Sequence, residues 1–355
     1  MNTANEQRLG RIKGLSNAEY HGGEGVSSTE LKKLLQSYNH WKQYKLEQAE
    51  ERAEAASGES KVRKAKDARD KGSLAHAIIL EPHTVEPEFC PHPDKPEDMV
   101  SNATAAKAML KEAGYDIKGL SKADDLYAAV HEHMPTVMTS AKWDTHLSQL
   151  ASEKTILHPD DWRDGSAAAK AVLEHPVAGP LFTGGNAEES WYAIDPHTGL
   201  LRKSRTDYLS QCDETGKVIV TDLKTIRDAA GDKCHKEVGD RDYLMSASFY
   251  LDTIALVLGL PVDGETFRYF EWCWVFVETA APYGVRILRA SYDDLMLGRG
   301  MYERALSVYA EQKEAEAKGE KLWGGYDPEV APLDIAPWRR RQMVAAANQL
   351  VTFDQ

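Results

Sequence analysis

Apolar residues recur at Leu31, Leu34 and Leu35 behind Ser27, Ser28 and Glu30, a rhythm that predicts a helix with a serine N-cap. A charged stretch over 51–71 then passes into a more apolar helix that carries His76 and ends near Pro82. From residue 187 the rhythm changes to strand periodicity. AEESWYAID reads as a strand, DPHTG as a turn, LLRKSRTDYLS alternates, QCDETG turns again, and KVIVTDLKT completes a three-strand meander. Residues 239–259 predict a helix with apolar Leu244, Met245, Phe249, Leu251, Ile254, Leu256 and Val257. FRYFEWCWVFVET and YGVRILRAS supply two further strands, a long charged helix covers about 292–317, and the tail ends in a helix. This order predicts an α/β fold whose mixed central sheet is flanked by helices, and it argues against a doubly wound parallel sheet.

With 355 residues the chain can bury a large core, and one core with insertions is the favoured organisation. Residues 1–82 form an N-terminal helical part carrying His76. Residues 83–150 differ in texture, with a Pro-rich opening followed by short polar helices near 103–113, 121–133 and 137–151, and they read as a helical insertion. Residues 151–355 hold the main core, with the meander and the C-terminal helices. His131 and His133 stand two apart in a helical pattern, so they face different directions and make a poor metal pair.

Charge narrows the choice of partner. With 43 basic against 56 acidic residues the net charge is -13, so the surface as a whole repels polyanions, and contact with nucleic acid must be concentrated in a local basic groove. Cys90, Cys212, Cys234 and Cys273 are scattered without C-x-x-C spacing, which argues for reduced structural thiols over a zinc ribbon or a disulfide framework. No run of about 18 apolar residues occurs, and MNTANEQRLGRIKG lacks the apolar stretch of a secretory signal, so a cytoplasmic protein without a membrane span is expected. Neither a Gly-rich phosphate loop nor a G-x-S-x-G elbow marks a common metabolic site.

The chemistry concentrates in KVIVTDLKTIR, where a run of β-branched residues ends on two opposite charges. On a strand Asp222 and Lys224 share one face while Leu223 turns to the other. Asp207 lies near the end of the preceding strand, and sheet twist or a bulge would be needed to bring its carboxylate to that of Asp222. Two adjacent carboxylates repel each other unless a cation lies between them, and a hard, oxygen-seeking ion such as Mg²⁺ would resolve the conflict. The Leu223 carbonyl could add a ligand, and the Lys224 ammonium could orient a water or stabilise charge on a phosphorane-like transition state. D-x-K by itself also fits an Asp/Lys ladder at a strand end.

Several motifs in order go further than the tripeptide. TD at 206–207, DLK at 222–224, GLSNAEYHGGEGVSSTELKKL, Gly72 to His76 followed by ILEP, AEESWYAIDPHTGLLRKSRTDYL, Tyr243 to Tyr250 and GYDPEVAPLDIAPW together resemble the PD-(D/E)XK nuclease superfamily, and within it the exonuclease VIII (RecE) C-terminal nuclease domain and its phage relatives. The resemblance spans most of the chain. It implies a restriction-endonuclease-like core in which His76, Asp207, Asp222 and the Leu223 carbonyl bind Mg²⁺, with Mn²⁺ as a substitute, while Lys224 assists the attacking water. Glu188 matches an acidic position on the first strand, suited to a second metal or to water. RecB-like relatives carry Q-x-x-x-Y after the D-x-K strand; Tyr250 is kept here, but Ser246 stands in place of the glutamine, which weakens the expected phosphate contact.

Arg202, Lys203 and Arg205 precede Asp207 and are candidates for gripping the DNA backbone, with Lys203 and Arg205 on its face and Arg202 on the other. The basic run 61–71 and the stretch Trp338 to Arg341 are further candidates. The resemblance implies a double-strand DNA exonuclease acting from the 5′ end on duplex ends and leaving 3′ tails for a single-strand annealing protein. It also implies a ring-like homo-oligomer, a trimer or tetramer. A structure-specific or single-strand endonuclease would share the same ligands, and a catalytically weak DNA-binding or assembly protein is the reading that Ser246 favours.

Overall fold

The alternating segments between 186 and 226 do pair as a meander. In the computed structural model, which describes residues 9–57, 67–212, 214–320, 325–326, 329–330 and 332–351, six strands form one sheet. The strands are β1 (Gly10–Ile12), β4 (Asn186–Ile194), β5 (Leu201–Gln211), β6 (Val218–Ile226), β7 (Phe270–Glu278) and β8 (Val285–Arg289), in the order β1-β4-β5-β6-β7-β8. Neighbours are antiparallel except β6 and β7, which run parallel because a helical crossover joins them. Mixed pairing follows from that single crossover.

The β4–β5 turn is closed by Asp195, whose carboxylate accepts from the backbone N–H groups of His197 and Thr198, and by Gly199 at φ +70°, a left-handed conformation that glycine adopts without strain.

Helices cover both faces, which is why β7 reads as a nearly continuous apolar run. Five helices frame the sheet: α1 (Ser28–Gln36), α2 (Asp67–Leu80), α3 (Pro159–Glu174), α4 (Tyr243–Leu258) and α5 (Tyr292–Ala317). On one face Val220, Trp272, Trp274 and Phe276 pack against Ala247, Leu251 and Ile254 of α4. On the other, Leu223, Val275 and Val277 meet Ala75 and Ile79 of α2 and Ala168 and Val172 of α3. Successive residues of β7 thus enter opposite cores, the period-two signature of a strand. Ser27 caps α1 by accepting from the Glu30 N–H, and Leu31 and Leu34 lock α1 onto Phe249 of α4 and Tyr302 of α5.

Residues 92–154 leave this body between two short strands, β2 (Phe89–Pro91) and β3 (Thr155–Leu157), which pair in parallel at the base of the excursion. Helices Ala103–Glu112, Ala123–His133 and Ser140–Glu153 lie within it, and Val100, Ala106, Leu110, Leu126 and Val130 form a small core of their own. His131 and His133 engage different partners, His131 at Thr139 and His133 stacked on Tyr115. All four cysteines carry free thiols. Among the described residues no helix is long and apolar enough to cross a membrane.

Candidate active site at the sheet fork

The two strands that carry the paired carboxylates separate where the carboxylates stand. The β5–β6 ladder runs from Gln211 opposite Val218 to Tyr208 opposite Thr221 and stops, while β5 continues along β4 to Leu201 and β6 continues along β7 to Ile226. The next facing positions are Asp207 and Asp222. Hairpin register therefore makes them neighbours, so the twist or bulge expected from the sequence is not what brings them together. In place of the interrupted ladder, Asp207 Oδ2 accepts a hydrogen bond from the Leu223 N–H at 2.7 Å. A side chain thus closes the fork and fixes the backbone of Leu223.

Lys224 leans back over this point. Its Nζ lies 2.5 Å from Asp222 Oδ2, 3.4 Å from the Leu223 carbonyl oxygen and 5.2 Å from the centre of the Tyr243 ring. Burial pulls the ammonium's pKa down, but Asp222 and Asp207 together outweigh it and hold the pKa above its ordinary value. The carboxylates are pushed upward. Burial raises Asp222 to about 6, Lys224 lowers it and Asp207 raises it; burial also raises Asp207 against the pull of Lys224 and the Leu223 N–H. Asp222 Oδ2, though ion-paired, has no aligned hydrogen-bond donor. One amine does not satisfy both acids.

His76 reaches the same neighbourhood from α2. Gly72, one turn earlier, lies so close to β6 that a Cβ built there would sit 2.9 Å from Thr225 Oγ1, and this close approach carries His76 toward Lys224. Burial and the Lys224 charge lower the imidazole to about 4, against the opposing effect of Asp222. It is therefore neutral at physiological pH, the form that donates an electron pair to a metal.

Glu188 completes the acidic group. It lies in β4 between the pairs Ala187–Tyr208 and Glu189–Thr206, so it faces Asp207, and its backbone is left-handed at φ 50°. Burial and Asp207 raise its carboxyl to about 8, with Arg205 at 3.8 Å pulling the other way. Glu81, at the end of α2, also raises Glu188 and was missed in the sequence. Its signal there is an acid placed between the His76 helix and Pro82. Tyr250 and Ser246 line a cavity of about 150 Å³ beside Asp222 and Lys224. Burial raises the Tyr250 hydroxyl to about 12, and the Ser246 hydroxyl lies 3.2 Å from that of Ser28.

The basic strand is a correction. Arg202, Lys203 and Arg205 are 1%, 4% and 8% exposed, and their donors are used internally. Arg202 donates to Thr253, Asp195 and the Phe249 carbonyl, and stacks on Phe249 and Tyr302. Lys203 donates to the carbonyls of Tyr20 and Gly23. Arg205 donates to Ser190, Asn17 and the Leu15 carbonyl. They clamp α4 and the N-terminal segment to the sheet, so an exposed phosphate grip from these three does not exist. Of the run 61–71, residues 61–66 and the side chains of 67–70 lie outside the described residues, while Lys71 is 3.8 Å from Asp164. Trp338 and Arg339 to Arg341 are exposed on helix Pro337–Val351.

Among the described residues no three His, Cys, Asp or Glu groups converge closely enough to hold an ion as they stand. The donor types nonetheless fit a divalent metal: two carboxylates with raised pKa, a neutral imidazole, a backbone carbonyl and a buried Asp222 oxygen without an aligned donor. Asp207, Asp222, His76 and the Leu223 carbonyl are the groups that would hold it.

No curated protein sequence matches the chain. A solved crystal structure described as a "putative exonuclease" from Eubacterium rectale is similar over 92% of this chain and 96% of its own, at 10% identity and a TM-score of 0.46. A second, the crystal structure of SSO0001, is similar over 67% of this chain and 86% of its own, at 13% identity and a TM-score of 0.24. Residues 27–321 match the family model described as "PDDEXK-like domain of unknown function (DUF3799)", and the D-x-K strand with its facing aspartate lies inside that span, so the chain belongs to this PDDEXK-like family.

Proposed function

We propose that this chain is a Mg²⁺-dependent double-strand DNA exonuclease that digests one strand from the 5′ end and leaves 3′ tails for an annealing protein. Membership of the PDDEXK-like family supports a nuclease, and one observation carries the reading: Asp207 and Asp222 face each other at the fork, with Lys224 2.5 Å from Asp222. A scissile phosphate is anionic and repels hydroxide. A bound divalent ion would neutralise it and lower the pKa of water. Asp207 and Asp222 supply the negative charge that attracts such an ion, and the neutral His76 adds a nitrogen without adding charge. Lys224 is held as an ammonium, so its part is to orient water and to stabilise charge on the phosphoryl oxygens as water adds to phosphorus, its proton passing to solvent, and the P–O bond to the leaving oxygen breaks, that oxygen taking a proton from solvent. The 5′ polarity, the annealing partner and a ring of three or four subunits rest on the RecE resemblance; a ring would allow an acidic exterior to enclose a basic channel.

The test is digestion of end-labelled linear duplex in Mg²⁺ by the native chain and by Lys224→Ala and Asp222→Ala. Each variant is expected to lose at least about a hundredfold in rate. Full activity in both moves the catalytic site elsewhere. Covalently closed duplex cut as fast as linear duplex replaces the exonuclease with an endonuclease. Binding of duplex ends with no release of nucleotide in Mg²⁺ or Mn²⁺ leaves a DNA-binding protein.

A further inference from the structure

The cavity beside Asp222 and Lys224 has a second wall built by α1, and that wall carries a second amine. Lys32 is half-buried there, and its Nζ donates to the Arg241 carbonyl at 2.8 Å and lies 5.3 Å from the centre of the same Tyr243 ring that Lys224 approaches. An ammonium has three donors, and that carbonyl takes one. Among the described residues no carboxylate lies within ion-pair distance of Lys32. Burial and the Lys224 charge lower Lys32 to about 8, with Asp242 and Asp222 opposing and Arg241 adding to the fall. Lys224 is already paired with Asp222, whereas Lys32 has only that carbonyl, so Lys32 is the amine with donors left for an anion entering the cavity.

Hydroxyl groups line the same space. Ser28 stands one helical turn before Lys32 on the same side of α1, and its hydroxyl meets that of the short Ser246 at 3.2 Å. Thr29 adds a further hydroxyl. The Lys32 ammonium and the hydroxyls of Ser28 and Thr29 border a volume of about 150 Å³ in which the Asp222 carboxylate is already paired to Lys224, and they suit a compact polyoxygen anion held at Lys32.

We propose that Lys32 grips a backbone phosphate of the DNA strand next to the phosphate being cut, with Ser28 and Thr29 completing the pocket. The proposal rests on the nuclease reading and adds to it a phosphate-contacting residue outside the D-x-K strand. Lys32 acts on substrate position, through binding, and Lys224 on the reaction. An anion held on Lys32 would align the strand against the fork.

Duplex binding is measured over a range of salt with a chelator present, and cleavage in Mg²⁺, for the native chain, Lys32→Met and Lys32→Arg. Loss of one phosphate contact is expected to reduce the slope of log K against log salt by about 0.9 in Lys32→Met. KM is expected to rise roughly tenfold with a smaller change in kcat, and the arginine variant to recover most of both. Should Lys32→Met lose its melting transition, Lys32→Gln keeps a donor for the Arg241 carbonyl and takes its place. An unchanged slope and KM in a folded variant reduce Lys32 to a tie on that carbonyl and overturn the proposal. Inhibition of the native chain by inorganic phosphate that Lys32→Met escapes, with no change of slope, overturns the backbone assignment in favour of a free anion. A native chain that neither binds nor cuts duplex removes the nuclease reading itself.

Discussion

Glu188 shows what the site costs the fold. Its left-handed backbone is uncommon for a residue with a side chain, and it turns the carboxyl toward Asp207, where burial and the like charge raise it to about 8. Between pH 4.5 and 8 the native chain keeps a proton that the unfolded chain has released. Native stability therefore falls as pH rises through that window, by on the order of 1–3 kcal/mol once the opposing pull of Arg205 and solvent screening are allowed for. Glu188→Gln keeps the shape without the charge, so its urea midpoint is expected to decline less between pH 5 and 8.5 than that of the native chain. An identical decline in both places the titration elsewhere. The same scale shows why some charges misled the sequence reading. RKSR looks like an exposed basic strand because sequence reports charge and not whether each donor has been used, and here Tyr20, Gly23, Phe249 and Leu15 offer backbone carbonyls that consume them. Asp222 and Lys224 were legible for the opposite reason, since a β-branched run ending in charge is hard to explain as core.

At the scale of elements, the site depends on how closely α2 lies on β6. A methyl group at Gly72 would press on Thr225 Oγ1 and force the helix, and His76 with it, to shift by a few tenths of an ångström. Gly72→Ala gains about 1 kcal/mol of helix propensity and loses a similar amount to overpacking, so stability is expected to stay nearly level. Cleavage is expected to fall about tenfold, because small displacements at a reacting centre are costly. Thr225→Ala removes the opposing atoms and is expected to restore much of the rate in the double variant; no repair, or no loss in the single variant, detaches His76 placement from this contact. The strands β6 and β7 were legible from their apolar runs, and β4 and β5 from partial alternation and the turns that bound them. By contrast β1 is a three-residue edge strand too short to show alternation, and helix Gly231–Asp240 is polar for most of its length and buries only Cys234, so neither offers an apolar run to mark it. The helix expected from 239 begins at Tyr243 because Asp242 is left-handed at φ 49°, a break that pattern alone does not reveal. The fork was out of reach as well, since it depends on which neighbour each strand keeps after Tyr208 and Thr221, and that choice is made by the helices packed on either side.

For the molecule as a whole, a net charge of -13 means that any divalent cation will stabilise the fold somewhat by screening self-repulsion, whatever the fork does. A site-specific effect must be separated from that background. Burial raises both Asp207 and Asp222 against the pull of Lys224, and the native chain gathers these two acids at one place, whereas the unfolded chain spreads its acids apart. A cation bound there stabilises the native state by RT ln(1 + [L]/Kd), about 2.7 kcal/mol at a hundredfold excess over Kd. Mg²⁺ or Mn²⁺ is therefore expected to raise the melting temperature by several degrees beyond NaCl of equal ionic strength. Asp207→Asn is expected to lose that excess while keeping the response to NaCl, because its amide still fits the fork but no longer concentrates charge. The comparison reads metal binding without any cleavage, so it holds even if the natural substrate differs from linear duplex DNA. Equal shifts from Mg²⁺ and NaCl in the native chain, or an excess that survives in Asp207→Asn, would mean that the fork does not hold the ion, and the catalytic role of Asp207 would have to be reassigned.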